Sequence, residues 1–249
     1  MQFICGTLII CLAAVHAESE ARQDQLFASW QGAQLNVKSL VVHFTLEQRY
    51  GSFIDKADGT FRLIRTPNGQ IFASYQVFPA KESLFLSSFS GLLNGGTIYV
   101  LNEEEKTAFS LRSIQGDLMQ FLEKHFHPFV LLLDRKHAKE KCHLQVVKRD
   151  EWYTYLTVTP KKVERDEWFR EPFQKGRVVL MNKSNEGVPK DMPRELRYIY
   201  GSHETIFDIK SWRLNAQDAP KVEEFTKPED RAGWKVSELQ PLGVSNSGD

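Results

Sequence analysis

The residues best suited to hold a metal lie close together midway along the chain: His125, His127, His137, Cys142 and His143. Imidazole nitrogens and a soft sulfur suit zinc. The set lacks the nearby carboxylate of a hydrolase-type His-x-His-x-Asp-His pattern, and Pro128 follows His127 directly. The plain reading is histidines at a helix end and on a strand, so no metal is expected. A nucleophile fares no better. Ser88-Phe89-Ser90-Gly91 lacks the leading glycine of a nucleophile elbow. Cys142 has His143 beside it, but neighbours on a strand face opposite ways. Asn94-Gly95-Gly96-Thr97 is a turn without the lysine of a P-loop or the glycine spacing of a dinucleotide site. Glu103-Glu104-Glu105 and Asp166-Glu167 read as solvated turns. No catalytic residue and no cofactor are expected, and the chain reads as a non-enzyme.

A different kind of chemistry is offered by Asp58–Phe78. Asp58-Gly59 and Pro67-Asn68-Gly69 are turn signals, and the residues around the second turn read as a pair of strands. Phe61, Leu63 and Arg65 alternate with Arg62 and Ile64, so two apolar side chains and one guanidinium share a face. Arg65 has two readings. It is either a solvated edge residue whose stem covers apolar surface, or a donor fork that pins another segment over that surface. Periodicity alone favours the first.

The elements that must position these residues follow from composition and pattern. Phe3–Val15 is almost wholly apolar, and Val15-His16-Ala17 is a small-x-small site before polar Glu18-Ser19-Glu20. Residues 1–17 are expected to be a cleaved export signal, with an uncleaved anchor as the alternative. The run is too short for a comfortable membrane span. Of the three cysteines, Cys5 and Cys11 lie in that segment, which leaves Cys142 alone. No intrachain disulfide is then available, and the apolar core must hold the domain together. Lys and Arg number 32, as do Asp and Glu, which argues against nucleic-acid binding and against an electrostatic membrane patch.

Lys38–Arg49 alternates cleanly. Leu40, Val42, Phe44 and Leu46 form one face, and Val41, His43, Thr45 and Glu47 the other. Strands are expected at Thr60–Arg65, Gln70–Phe78, Ser83–Phe89, Thr97–Leu101 and Thr107–Arg112. Short turns between them suggest an antiparallel meander. The period then changes. Leu118, Phe121, Leu122 and His125 fall at helical spacing, Phe129–Leu133 is a continuous apolar run, and Arg135–Lys141 is a charged helix. A further helix is expected at Asp24–Gln34. Strands resume with a hairpin of Cys142–Arg149 and Trp152–Thr159, then Arg177–Met181, Arg194–Tyr200 and His203–Leu214. Lys161–Lys175 reads as a loop, Phe225, Pro228 and Trp234 pin the end of the domain, and residues 239–249 form a tail. The pattern sums to α+β: one domain over 18–238 with about ten or eleven strands in a curved antiparallel sheet and three helices, for which the sheet's concave apolar face is the obvious resting place.

Such a face has two readings. Phe and Leu on it could fill the space themselves as an ordinary core. They could also line a cavity for acyl chains under a helical lid. Patterning alone favours the filled core.

The order of several segments resembles the bacterial outer-membrane lipoprotein carrier family, the LolA/LolB-type fold. Ser39–Thr45 ending near Gln48 resembles its first strand, and Gly59–Asn68 its glycine-to-Arg-Pro signature. Asn94–Asn102, Pro128–Leu132, Tyr155–Pro160 and the Phe225, Pro228, Gly233-Trp234 ending are similar to later segments in the same order. Thr66 stands between Arg65 and Pro67, and the stretch Lys161–Lys175 is long for the family. The resemblance implies an incomplete barrel of about eleven antiparallel strands with helices lidding its concave apolar face. It also implies a periplasmic, monomeric carrier of acylated lipoproteins or lipids, with a membrane-protein donor or acceptor and no nucleic acid. The implied cavity is lined by Leu40, Val42, Phe44, Leu46, Phe61 and Leu63 from the sheet, and by Phe121, Leu122, Phe129 and Leu132 from the lid. Arg65 matches the arginine that locks the family's lid. The alternative is a non-enzymatic envelope interaction or sensing module on the same fold, its cavity filled by its own side chains.

Overall fold

The computed structural model describes residues 38–83, 86, 88–94, 96–112, 142–161, 173–185 and 187–238. Twelve strands form one large, open, curved sheet: β1 (Ser39–Tyr50), β2 (Phe53–Arg65), β3 (Ile71–Pro79), β4 (Phe89–Asn94), β5 (Thr97–Asn102), β6 (Thr107–Arg112), β7 (Cys142–Arg149), β8 (Tyr153–Pro160), β9 (Phe173–Met181), β10 (Pro193–Tyr200), β11 (His203–Leu214) and β12 (Lys235–Glu238). Strands β1 to β6 pair each with the next, β7 to β11 do the same, and β11 returns to lie against β1. Every pairing is antiparallel except that of β12, which runs parallel to β6. β7 and β12 are the two edges, so the sheet is not closed into a barrel.

The alternation seen in the sequence sorts the two faces. Residues directly opposite in an antiparallel pair point the same way. The register therefore carries one apolar row across the sheet: Ile98, Leu93, Ala73, Leu63, Leu40 and Leu214. A second row runs Tyr75, Phe61, Val42, Trp212. These rows belong to one cluster that extends to Leu156 and Val158 on β8 and lines the concave face. A smaller cluster of Phe72, Leu92, Tyr99, Leu101 and Ala108 lies on the opposite face, where Phe225 covers it.

Phe225 is fully buried, and Arg62 stacks over its ring while pairing with Glu224. Asn94 Nδ2 donates to the Phe225 carbonyl at 2.6 Å, and the Tyr99 hydroxyl donates to Glu229 Oε1 at 3.1 Å. Burial and the neighbouring Glu229 push the Tyr99 hydroxyl up to about 12. Two short 3-10 turns, Val222–Phe225 and Pro228–Asp230, lead this strap into β12.

Several sequence expectations need correction. Asp58-Gly59 is not a turn. It lies inside β2, and the chain reverses instead at Gly51-Ser52, where Gly51 takes a φ of +60°. The fourth strand is Phe89–Asn94 rather than Ser83–Phe89. Phe173–Lys175, read as loop, begins β9, and β12 was not foreseen. Among the described residues there is no α-helix, and no helix is long and apolar enough to cross a membrane. The helices expected at Asp24–Gln34, over residues 117–133 and at Arg135–Lys141 lie outside the described residues, as do the export segment 1–17, the tail 239–249 and most of the loop at Lys161–Lys175.

Candidate functional site: the concave apolar face

Of the residues expected to line a cavity, Leu40, Val42, Phe44, Leu46, Phe61 and Leu63 are all buried and all belong to the concave cluster. They are brought together because β1 and β2 pair in a register that sets Leu40 opposite Leu63, Val42 opposite Phe61 and Phe44 opposite Gly59. Phe121, Leu122, Phe129 and Leu132 lie outside the described residues.

The pairing of Phe44 with Gly59 shapes the site. A Cβ on Gly59 would stand 2.2 Å from the Phe44 ring. The ring therefore lies over the glycine and reaches Tyr75 on β3, with centroids 5.7 Å apart in a stacked arrangement. On its other side it meets Phe207 of β11 at 5.4 Å. The row continues from Tyr75 to Phe89 at 5.9 Å and from Phe207 to Tyr198 at 6.3 Å. Five aromatic side chains thus form a slanting belt across the concave face from β4 to β10. Tyr75 stands opposite Gly91, and Tyr198 opposite Gly176. Three of the five belt residues face a strand glycine. A glycine in a strand leaves room for a neighbour's side chain and lets a sheet bend. Burial pushes the hydroxyls of Tyr75 and Tyr198 far above the ordinary tyrosine range, so both stay neutral.

The two ends of the face differ. Near the start of β1, the loop after β9 folds inward. Val188 and Met192 join the core beside Met181 and Trp212. Gly187 carbonyl accepts from the Trp212 backbone N–H at 2.8 Å, and Trp212 Nε1 donates to the Pro193 carbonyl at 2.8 Å. At the other end His203 is sandwiched between Tyr50, 5.4 Å away, and Tyr200, 5.3 Å away. There the buried Asp55 carboxylate accepts from Ser83 Oγ and the Leu86 N–H, both at 3.0 Å, which ties down the start of the link from β3 to β4.

Arg65 ends β2 on the concave side, opposite Ile71. Its backbone N–H donates to the Lys38 carbonyl at 2.7 Å. Among the described residues its guanidinium makes no hydrogen bond or ion pair. Arg62, one of its neighbours in sequence, faces the other way and is taken up by Glu224. Of the metal candidates, Cys142 packs against the concave core and His143 next to it is exposed, while His125, His127 and His137 lie outside the described residues. Among the described residues no three His, Cys, Asp or Glu side chains gather to hold an ion.

Sequence reasoning missed Tyr75, Phe207 and Tyr198 as partners of Phe44, and missed the inward loop with Val188 and Met192. The glycines at 59, 91 and 176 are visible in the sequence, but only Gly59 stands in a clean apolar alternation, with Ala57, Phe61 and Leu63 on its side.

No known family profile matches the chain, and no curated sequence does. Solved structures do match. An uncharacterised conserved protein from Thermus thermophilus is 6% identical over 87% of this chain and 99% of its own, with a TM-score of 0.50. A LolA superfamily protein from Nitrosomonas europaea is 10% identical over 83% of this chain and 98% of its own, at 0.41. A Pseudomonas aeruginosa MucA/MucB complex matches at 10% identity and 0.42, over 80% of this chain, which spans 60% of the matched chain's length. At these identities the likeness concerns the fold alone. The open sheet of two antiparallel meanders, curved around one apolar face, is the architecture that the order of sequence motifs implied. The overall fold is shared with the Thermus thermophilus protein.

Proposed function

We propose that the protein is a non-enzymatic, extracytoplasmic carrier that shields an acyl chain of a lipoprotein or lipid from water against its concave face. The observation that carries this reading is the face itself. Its residues from β1 to β5 and β8 to β11 form one continuous apolar cluster. Each buried methylene contributes ~0.8 kcal/mol, so burying about ten would stabilise binding by ~8 kcal/mol before ordering costs. Residues 113–141 serve as the cover in this reading, with Phe121, Leu122, Phe129 and Leu132 as its apolar side. Two facts support that role. β6 and β7, which the segment joins, lie near opposite edges of the sheet. β6 ends at Arg112 near the Ser39 end, whereas Cys142 starts beside Pro160, nearer the Tyr200 end, so the two strand ends that the segment joins stand at opposite corners of the sheet.

Arg65 pins the root of this cover. A charge-assisted hydrogen bond contributes ~1.5–3 kcal/mol, enough to hold a lid and little enough to release it without unfolding. Export through the apolar segment Phe3–Val15 would deliver the protein to the periplasm, where a membrane protein hands cargo over or receives it. The protein works as a monomer in this reading.

A second reading is favoured by the aromatic belt. A concave face crossed by five of its own rings is partly filled from within, as in an interaction or sensing module that carries nothing. Arg65→Leu separates the two. In the carrier it changes retention of a fluorescent acylated peptide at least several-fold, with the unfolding midpoint nearly unchanged. Equal retention by the variant and wild type contradicts the lock, and no binding by either favours the interaction module.

A further inference from the structure

We infer that Asn68 is a self-modifying site: the turn between β2 and β3 converts its side-chain amide to a carboxylate without an enzyme. The inference holds whether the concave face carries cargo or is filled from within. The chain contains two Asn-Gly pairs, Asn68-Gly69 and Asn94-Gly95. A glycine after an asparagine leaves its backbone nitrogen open to the asparagine side chain, because no Cβ crowds it. The structure treats the two asparagines differently.

Asn68 and Gly69 are both exposed. Gly69 takes a φ of +83°, and a Cβ on it would meet nothing within 4 Å. Asn68 Oδ1 accepts from the Thr66 hydroxyl, and from the Gln70 N–H at 3.4 Å. The Thr66 hydroxyl also lies 3.1 Å from the Gln70 carbonyl and shares its one proton between the two acceptors. Asn68 Nδ2 donates to no group among the described residues and so is free to leave. Donors placed at Oδ1 stabilise the negative charge that develops there when Cγ is attacked. The Gly69 N–H donates to the Thr66 carbonyl at 2.9 Å, a bond that has to open first. It lies in an exposed turn, where water replaces such a bond at little net cost. Asn94 is held instead. It ends β4 opposite Thr97, half-buried, and its Nδ2 donates at 2.6 Å to the carbonyl of fully buried Phe225. Its amide cannot leave until the strap lets go.

The reaction needs only water. The Gly69 nitrogen bonds to Asn68 Cγ, the Cγ–Nδ2 bond breaks, and the Gly69 amide proton departs with Nδ2 as ammonia. Water then opens the resulting succinimide ring at either carbonyl. One opening gives aspartate, and the other runs the main chain through the side-chain carbon as isoaspartate. Nothing is oxidised or reduced. Both products set a negative charge in the turn that directly follows Arg65, the last residue of β2.

The test follows the full folded protein over days in mildly alkaline buffer. The tryptic peptides Thr66–Lys81 and Glu82–Lys106 carry the two sites separately, and mass spectrometry reads the mass gained when an amide becomes an acid. In the folded protein Asn68 converts at least about tenfold faster than Asn94. In guanidinium, where turn and strap are both gone, the two rates come within about twofold of each other. Thr66→Val removes the hydroxyl donor and keeps the side chain's shape. It slows Asn68 several-fold and leaves the Asn94 rate and the unfolding midpoint unchanged. Equal rates at the two sites in the folded protein overturn the inference. So does a difference that persists in guanidinium, or an Asn68 rate that Thr66→Val leaves unchanged or raises.

Discussion

Phe44 and Gly59 are chemically unlike and depend on each other. Phe44 is almost fully buried, and deleting its ring should cost about 3–5 kcal/mol in unfolding free energy. Gly59→Ala places a methyl group where the ring now sits and should cost about 1–3 kcal/mol through overpacking. In a Phe44→Leu background the same Gly59→Ala change should cost at least ~1 kcal/mol less, because the smaller side chain can yield. Urea unfolding of the four proteins checks this. Additive costs would mean that the ring does not rest on the glycine. The sequence shows Gly59 clearly but does not say what it is for. Beside Asp58 it looks like a turn, because both residues are common in turns. Only the register of β1 on β2 shows that the glycine answers a bulky partner across the ladder. Arg65 was more legible. Its place on the apolar side of β2 follows from alternation alone, since nothing within the strand breaks the period of two.

At the scale of elements, strands with strict alternation and a clear turn at each end were found almost to the residue. β1, β7, β8 and β11 are examples, because half-burial writes itself into the sequence as a period of two. β4 was misplaced because Phe89-Ser90-Gly91-Leu92-Leu93 is apolar on both sides. Leu93 faces the concave core and Leu92 the strap, so the alternation is erased. β12 is short and mostly polar, and it forms only because the strap carries it to the β6 edge. The strap gives an element-scale prediction. Glu224 is held below its ordinary acidity range, first by the Lys221 backbone N–H at 2.8 Å and then by Arg62. A carboxylate whose folded-state pKa is depressed stabilises the fold fully above its unfolded value, near 4.5, and loses that contribution as pH falls through the folded value. Glu224→Gln should therefore lower stability at neutral pH by at most ~1 kcal/mol, since the pair is partly exposed. The gap between variant and wild type should narrow as pH falls below 4.5 and close once Glu224 is protonated in the folded state too. A gap that persists unchanged at low pH would show that the charge is not what anchors the strap.

At the scale of the whole molecule, the number of strands and their sequential pairing were close to expectation, because short turns make neighbours in sequence neighbours in the sheet. The return of β11 to β1, which joins two meanders into one curved wall, leaves no local mark in the sequence. The same holds for the loop that closes one end of the concave face. Its Val188 and Met192 stand among Asn, Lys, Gly, Pro and Asp, a composition that reads as solvent-exposed. The candidate site is therefore half legible: its β1 and β2 residues follow from pattern, whereas the belt and the filled end depend on tertiary register. The central claim is that this wall shelters acyl chains. It is tested most directly by purifying the folded protein without detergent, extracting it with organic solvent and weighing what is released by mass spectrometry. The carrier account predicts acyl-chain species in near-stoichiometric amount, or their capture when acylated peptide is added to an empty preparation. A clean extract from a protein that also fails to take up added acylated peptide would contradict it and leave the belt as part of a closed core.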